Sequence, residues 1–91
     1  MKTLSDFKKR LKVGTQIETM HAHLGSFGIR KISKVQTNSF ALETLRDNKI
    51  VDSWCEYPKA KDFEIVNENT AKIFWGEGAK REHILTYTFL D

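Results

Sequence analysis

The sequence contains one cysteine, one proline and no long hydrophobic run. The single cysteine, Cys55, cannot form a disulfide within the chain and cannot supply the thiolates of a four-cysteine zinc site. No apolar run approaches the roughly 20 residues that a membrane helix needs, and the first twelve residues lack the apolar segment of a signal peptide. We therefore expect a soluble, cytoplasmic protein with no membrane partner.

Sequence motifs of common enzymes are also missing. The chain has no Gly-rich phosphate loop, no nucleophile elbow and no zinc-protease spacing. His21 and His23 share one side of a predicted strand, but no third and fourth metal ligand accompanies them, and His83 is distant in sequence. Cys55 falls on the apolar face of another predicted strand and is interpreted as a small buried hydrophobe. We expect no catalytic residue, no metal site and no cofactor.

The composition is that of one small globular domain covering residues 1–91. Hydrophobic residues make up 40% of the chain and aromatic residues 11%, which is enough for a modest single core. No repeat, linker or low-complexity segment interrupts the sequence.

A short helix is predicted over about residues 3–12. Thr3 or Ser5 can cap its first turn, and Asp6 completes a capping box with Thr3. Gly14 is the predicted stop. The apolar residues Leu4, Phe7 and Leu11 follow a spacing of three and four, so one narrow stripe must dock on the rest of the protein.

Seven short strands are predicted after the helix. They cover about residues 15–24, 28–36, 39–45, 50–57, 63–67, 71–75 and 83–90. A change of phase predicts a bulge or bend near Glu18 and Thr19, and residues 25–28 are predicted to turn the chain into the central hairpin. That hairpin turns at Thr37 and Asn38.

In the predicted register of the central hairpin, Val35 lies opposite Phe40, and Ser33 lies opposite Leu42. Polar turns are also predicted at residues 46–49 and 67–70. The pattern as a whole predicts a mainly β fold of the α+β class, in which an antiparallel meander curls into a small barrel-like sheet of SH3-like or related type.

Positive charge is concentrated at the start of the chain. The first twelve residues hold five basic side chains against one acidic one, whereas the remainder holds ten basic and eleven acidic residues. Basic side chains on one element can neutralise phosphates, which makes DNA or RNA a candidate partner. The candidate nucleic-acid-binding residues are Lys8, Lys9, Arg10, Lys12, Arg30, Lys31 and Lys34. The alternative is a solvated helix face that maintains solubility.

Three aromatic residues are candidates for contact with a partner. Trp54 lies between two acidic residues on a predicted solvent-side face, so it is either an exposed anchor for a partner protein or a core residue covered by the helix. Trp75 and Phe27 lie beside glycine-containing loops, where they either stack on single-stranded nucleic acid or plug the ends of a small barrel.

A resemblance adds a biological context. The chain contains the stretches LSDFKKRLKVGT, FGIRKISKVQTNSFALET, VDSWCEYPKA and ILTYTF. In these stretches it resembles short proteins encoded by phages and other mobile elements of Gram-positive bacteria. The resemblance implies an accessory protein that binds nucleic acid or inhibits a host protein, with a small virion component as a third class. It implies no functional residue, and the oligomeric state stays open.

Overall fold

The computed structural model describes residues 1–90 and contains one short helix followed by seven strands. The helix α1 is Leu4–Arg10, and the strands are β1 Gln16–His21, β2 Gly25–Val35, β3 Ser39–Arg46, β4 Lys49–Glu56, β5 Phe63–Asn67, β6 Thr70–Trp75 and β7 Glu82–Phe89. Two short 3-10 turns, Ala60–Asp62 and Gly78–Lys80, precede β5 and β7. The predicted mainly β fold with one N-terminal helix is confirmed.

All seven strands form one antiparallel sheet in the order β4-β3-β2-β1-β7-β6-β5. Two meanders, β1 to β4 and β5 to β7, are joined where β7 pairs with β1. Within residues 1–90, β4 and β5 each pair on one side only, so the sheet is not closed into a barrel. The predicted barrel closure is wrong because β4 and β5, which follow one another in the chain, do not pair and lie at opposite edges of the sheet.

The helix is shorter than predicted and begins at the expected cap. The Thr3 side chain accepts a hydrogen bond from the Asp6 backbone, and the Asp6 carboxylate accepts one from the Thr3 backbone N–H. The helix ends at Leu11, where the backbone is extended. Gly14 is not the helix stop: it lies in a following turn with a φ of 92° and donates its N–H to the Ile32 carbonyl.

The turn between β1 and β2 lies earlier in the chain than the sequence predicts. It spans residues 22–24, and Gly25 already belongs to β2. The His21 ring explains the difference, because its Nδ1 accepts hydrogen bonds from the backbone N–H groups of His23 and Leu24 and so closes the turn. The predicted bulge is present between Thr19 and Met20, and the extra residue is Phe27 on the partner strand.

Of the two cross-strand residue pairs predicted in the central hairpin, one is present and the other is not. Val35 lies opposite Phe40 as expected. A second bulge, at Ser33, brings Ile32 and not Ser33 opposite Leu42. The bulge keeps Ile32 on the buried face with Leu42, so a one-residue shift preserves the core. The turns predicted at residues 46–49 and 67–70 are confirmed.

The core lies between α1 and the coiled sheet. Its buried residues come from the helix and from five strands: Phe7, Leu11, Ile17, Ile32, Phe40, Leu42, Ala71, Tyr87 and Phe89. Phe7 is fully buried, and its ring centroid lies 5.2 Å from that of Phe63, 5.8 Å from that of Tyr87 and 5.6 Å from that of Phe89. The sheet coils far enough that Phe40 of β3 packs edge-on against Tyr87 of β7.

Candidate binding surface

Strands β2 and β3 pair over only a short length and then diverge. Their register ends at the pair Ile32 and Leu42, whereas β2 continues to pair with β1 and β3 continues to pair with β4. The divergence opens a cleft of about 690 Å³ between the first half of β2 and the tip of the β3–β4 hairpin. The cleft is lined by Gln16, Phe27, Ile29, Arg30, Lys31, Glu43, Thr44, Leu45 and Ile50.

Backbone polar groups of both strands face this cleft. On β2, Ile32 donates its N–H to Thr15 on the β1 side, so the alternation of an antiparallel ladder directs the backbone groups of Ile29 and Lys31 the other way, into the cleft. On β3, the same alternation directs the backbone groups of Glu43 and Leu45 away from β4. The pair Ile32 and Leu42 places the Glu43 N–H on the Lys31 carbonyl at the inner end of the cleft, so in the described residues it is the backbone groups of Ile29 and Leu45 that have no strand partner.

The turn between β3 and β4 determines which backbone groups of β3 face β4 and which face the cleft. Asp47 and Asn48 both have positive φ, 50° and 63°, as a type I′ turn requires. Arg46 and Lys49 close this two-residue turn as a pair. The hairpin tip is therefore a regular ribbon that projects beside the cleft.

Arg30 spans the base of the cleft. Its Nη1 donates a hydrogen bond of 3.0 Å to the hydroxyl of Thr44 on β3, and its guanidinium lies 5.7 Å from the ring centroid of Phe27. Its Nε is buried and has no hydrogen-bond partner within residues 1–90. A buried donor without an acceptor costs about 1–3 kcal/mol, and more for a charged group.

Large apolar side chains around the cleft are exposed. Ile29 is 58% exposed, Leu45 71% and Ile50 72%. Leu45 and Ile50 lie opposite one another across the hairpin, on the same face. Apolar residues that cluster around a concave surface are typical of an interaction site.

Trp54 lies on the outer strand β4 and is 47% exposed. It alternates with Cys55, which packs against the core on the side of α1. The helix therefore does not cover Trp54, and the interpretation of this residue as core under the helix is wrong. The neighbouring Asp52 forms an ion pair of 2.8 Å with Lys34 and accepts a hydrogen bond from Ser33. Both contacts, the Lys34 bond first, hold the pKa of Asp52 below its usual value.

The seven candidate nucleic-acid-binding residues differ in their surroundings. Arg10 donates to the carbonyl of Glu68 at 2.6 Å and to Oδ1 of Asn69 at 3.0 Å, and its guanidinium lies 4.3 Å from the ring centroid of Phe89. It therefore anchors α1 to the β5–β6 turn. Arg30 and Lys34 are engaged as described above. The exposed members of the set are Lys8, Lys9, Lys12, Lys31 and Lys34, and the Lys8 ammonium lies 4.9 Å from the ring centroid of Tyr57.

The other two aromatic candidates are exposed as well. Trp75 is exposed at the end of β6, and Phe27 is exposed at the bulge of β2. Neither plugs the sheet, so that interpretation is wrong for both. Phe27 packs between the Arg30 guanidinium and the His21 ring, 5.9 Å away between centroids.

His83 and Cys55 are surrounded by neighbouring protein groups. His83 Nε2 lies 2.8 Å from the Thr86 hydroxyl and 3.0 Å from the Leu85 carbonyl. Within residues 1–90, no three His, Cys, Asp or Glu side chains come together as a metal ion would require. Burial raises the pKa of the Cys55 thiol, which disfavours the nucleophilic thiolate.

The sequence pattern does not identify Ile29, Leu45 and Ile50 as surface residues. Its only signal for two of them is that Leu45 and Ile50 flank the Arg46–Lys49 turn, where a hairpin tip has no sheet on either side. Ile29 gave no signal, because its exposure depends on the divergence of β2 from β3.

Substitution of Thr19 and of Thr44 should change the stability in opposite directions. Thr19 is 2% exposed and its hydroxyl has no partner in the described residues, whereas the Thr44 hydroxyl accepts the Arg30 hydrogen bond. Replacing an unpaired buried hydroxyl with a methyl group removes a desolvation cost, so we expect Thr19→Val to raise the free energy of unfolding by about 1 kcal/mol. Thr44→Val should lower it by a similar amount, because it leaves Arg30 with a second unpaired donor.

Urea denaturation followed by circular dichroism measures both threonine variants under the same conditions. A fall in the free energy of unfolding for Thr19→Val would show that the Thr19 hydroxyl has a hydrogen-bond partner in solution.

Comparison with known proteins finds no match to a protein family, to a curated protein or to a solved structure. None of the helices described in residues 1–90 is long and apolar enough to cross a membrane. The fold and the cleft define a mainly β domain whose surface carries an open, apolar groove between two strands.

Proposed function

We propose that this chain is a non-enzymatic protein-binding module. The observation that carries the proposal is the cleft between β2 and β3, which combines exposed Ile29, Leu45 and Ile50 with backbone groups that have no strand partner. Such a surface gains both apolar burial and hydrogen bonds when a protein covers it. The resemblance to mobile-element proteins implies either nucleic-acid binding or inhibition of a host protein, and the cleft is the feature that favours a protein partner.

A pair of charge-introducing variants tests this proposal. Leu45→Lys with Ile50→Lys places two ammonium groups beside the cleft, and Val13→Lys with Val66→Lys makes the same change at exposed apolar residues elsewhere. Immobilised wild type and both variants are incubated with nuclease-treated lysate of a Gram-positive bacterium. A protein retained by wild type and by the control variant is then identified by mass spectrometry and purified.

We expect the purified partner to bind the Leu45→Lys, Ile50→Lys variant at least tenfold more weakly than wild type and to bind the control equally well. The reason is that a charge desolvated in an apolar interface costs more than a rim charge. Equal binding of both variants would contradict the proposal.

Nucleic-acid binding is a second candidate, supported by the exposure of Lys8, Lys9 and Lys12 near the start of the chain. If these three lysines neutralise phosphates of duplex DNA, affinity should fall with salt on a log-log slope of about 2.7, roughly 0.9 for each phosphate. Fluorescence anisotropy with a labelled duplex at several salt concentrations measures that slope. Reversing the three charges should abolish binding, and unchanged binding would exclude them.

A further inference from the structure

A histidine ring closes the turn between β1 and β2. His21 Nδ1 accepts hydrogen bonds from the backbone N–H groups of His23, at 3.0 Å, and of Leu24, at 3.1 Å. A ring nitrogen accepts a hydrogen bond only while its lone pair is free, so Nδ1 carries no proton, and the neutral ring holds its proton on Nε2. The closed turn therefore requires the uncharged form of this side chain.

The His21 ring occupies the place that an asparagine or aspartate side chain takes in an Asx turn. In such a turn, a side-chain oxygen accepts the backbone N–H two residues further along the chain. His21 makes that contact with residue 23 and a second one with residue 24. Histidine differs from asparagine because its acceptor nitrogen takes up a proton in the range of about pH 5–8. The group that holds this turn therefore changes its hydrogen-bonding capacity with pH.

Charged and titratable groups approach the His21 ring from the turn and from both neighbouring strands. The His23 ring centroid lies 5.8 Å from that of His21. On β7, Leu85 lies directly opposite His21, so residues 83 and 87 are its diagonal neighbours on the same face. These groups are His23 on the turn, Glu82, His83 and Tyr87 on β7, and Arg30 behind the Phe27 ring on β2.

The contact between His23 and Glu82 acts in the opposite direction to the His21 hydrogen bonds. His23 Nε2 lies 3.5 Å from Glu82 Oε2, so protonation of His23 strengthens an ion pair between the turn and β7. The two side chains are 62% and 58% exposed, and an ion pair at that exposure contributes little. The loss of two backbone hydrogen bonds at His21 therefore outweighs the gain at His23.

From these observations we infer that protonation of His21 opens the turn at residues 22–24 and makes one wall of the cleft sensitive to pH. A proton on Nδ1 converts the acceptor into a donor that faces two other donors, so both hydrogen bonds are lost and the ring turns away. The ring then leaves Phe27, whose centroid lies 5.9 Å away and which lines the cleft.

The direction of this switch follows from the acceptor. The turn is closed at a pH above the titration of the His21 ring and opens as the pH falls through that titration. The switch belongs to the free protein and does not depend on what the cleft binds.

Nuclear magnetic resonance of the ¹⁵N-labelled protein between pH 8 and pH 5 tests the switch. At pH 8, the His21 ring should carry its proton on Nε2, and Overhauser contacts should join the rings of His21 and Phe27. At pH 5, those contacts should be absent. The protection factor is the slowing of amide exchange relative to an unstructured peptide at the same pH. For the amides of His23 and Leu24 it should fall at least tenfold, with the midpoint of the His21 titration.

The amide of Ala22 is the internal reference. It donates to the Ile84 carbonyl of β7 and makes no hydrogen bond to His21, so its protection factor should stay within threefold.

His21→Asn is the matched variant, because its side-chain oxygen can accept the same backbone N–H groups and takes up no proton. The protection factors at residues 23 and 24 should then stay within threefold from pH 8 to pH 5. His23→Asn removes the other titrating ring of the turn together with its contact to Glu82. It should leave the tenfold loss of protection at Leu24 in place.

Four results would each overturn the switch. On the wild type, they are a proton on Nδ1 at pH 8, protection at residues 23 and 24 that does not change with pH, and an equal loss of protection at Ala22, which would indicate general unfolding. On the variants, the contrary result is a loss of protection that persists in His21→Asn or disappears in His23→Asn. The first three measurements do not require a variant to fold.

Discussion

Phe7→Ala is expected to lower the free energy of unfolding by about 3–5 kcal/mol, the usual cost of truncating a buried phenylalanine. Phe7 is fully buried and packs against Phe63, Tyr87 and Phe89, which belong to two strands on one half of the sheet. A domain of this size has a total stability of about 5–14 kcal/mol, so the variant should be close to unfolding. The midpoint of urea denaturation measures the change.

The helix itself supplies the controls for Phe7→Ala. Ser5 is exposed on the same helix, and Ser5→Ala should change the free energy of unfolding by less than about 0.5 kcal/mol. Phe7→Leu keeps most of the apolar volume and should fall between the two. A loss below about 1 kcal/mol for Phe7→Ala would mean that the helix is not packed on the sheet in solution, and the basic residues near the start of the chain would then be free to bind elsewhere.

Local signals in the sequence were sufficient for the start of the helix and for the turns at residues 46–49 and 67–70. Thr3 and Asp6 form the predicted capping box because both bonds lie within four residues. Asp47 and Asn48 form the predicted turn because Asp and Asn tolerate positive φ. In each case the residues that decide the structure are neighbours in the chain.

The bulges and the open sheet depend on residues that are distant in sequence. The bulge at Ser33 keeps Ile32 opposite Leu42, and both side chains are buried, so the core selects a register that the strand pattern alone cannot show. The pairing of β1 with β7 joins the two ends of the chain and leaves β4 and β5 as edges. No local pattern specifies which strands become edges.

In the candidate site, too, the sequence predicts the features that depend on neighbouring residues and not those that depend on distant ones. The sequence identified Trp54 as a candidate anchor because of its acidic neighbours, and the structure shows it exposed. It identified the basic residues by composition and could not show that Arg10 contacts the β5–β6 turn or that Lys34 pairs with Asp52. The cleft was not predictable, because it forms only where β2 leaves β3 to follow β1.

Gly76→Ala is expected to lower the free energy of unfolding by about 2–5 kcal/mol. Gly76 has a φ of 86°, which costs a residue with a side chain roughly 1–2 kcal/mol. An added Cβ would also overlap the backbone carbonyl oxygen of Lys80 and lie 3.0 Å from its carbonyl carbon. Because the obstacle is backbone, relief requires the 3-10 turn Gly78–Lys80 to move, and overpacking of this kind typically costs a further 1–3 kcal/mol.

Gly14→Ala is the control that separates the conformational cost of positive φ at Gly76 from the cost of the steric overlap there. Gly14 has a φ of 92°, but a Cβ there meets no atom within 4 Å, so only the conformational cost of roughly 1–2 kcal/mol applies. Urea denaturation of the two variants side by side should therefore show a loss for Gly76→Ala that exceeds the loss for Gly14→Ala by at least about 1 kcal/mol. Equal losses would mean that the β6–β7 loop rearranges without cost, and the turn Gly78–Lys80 would then make no contribution to the stability of the sheet.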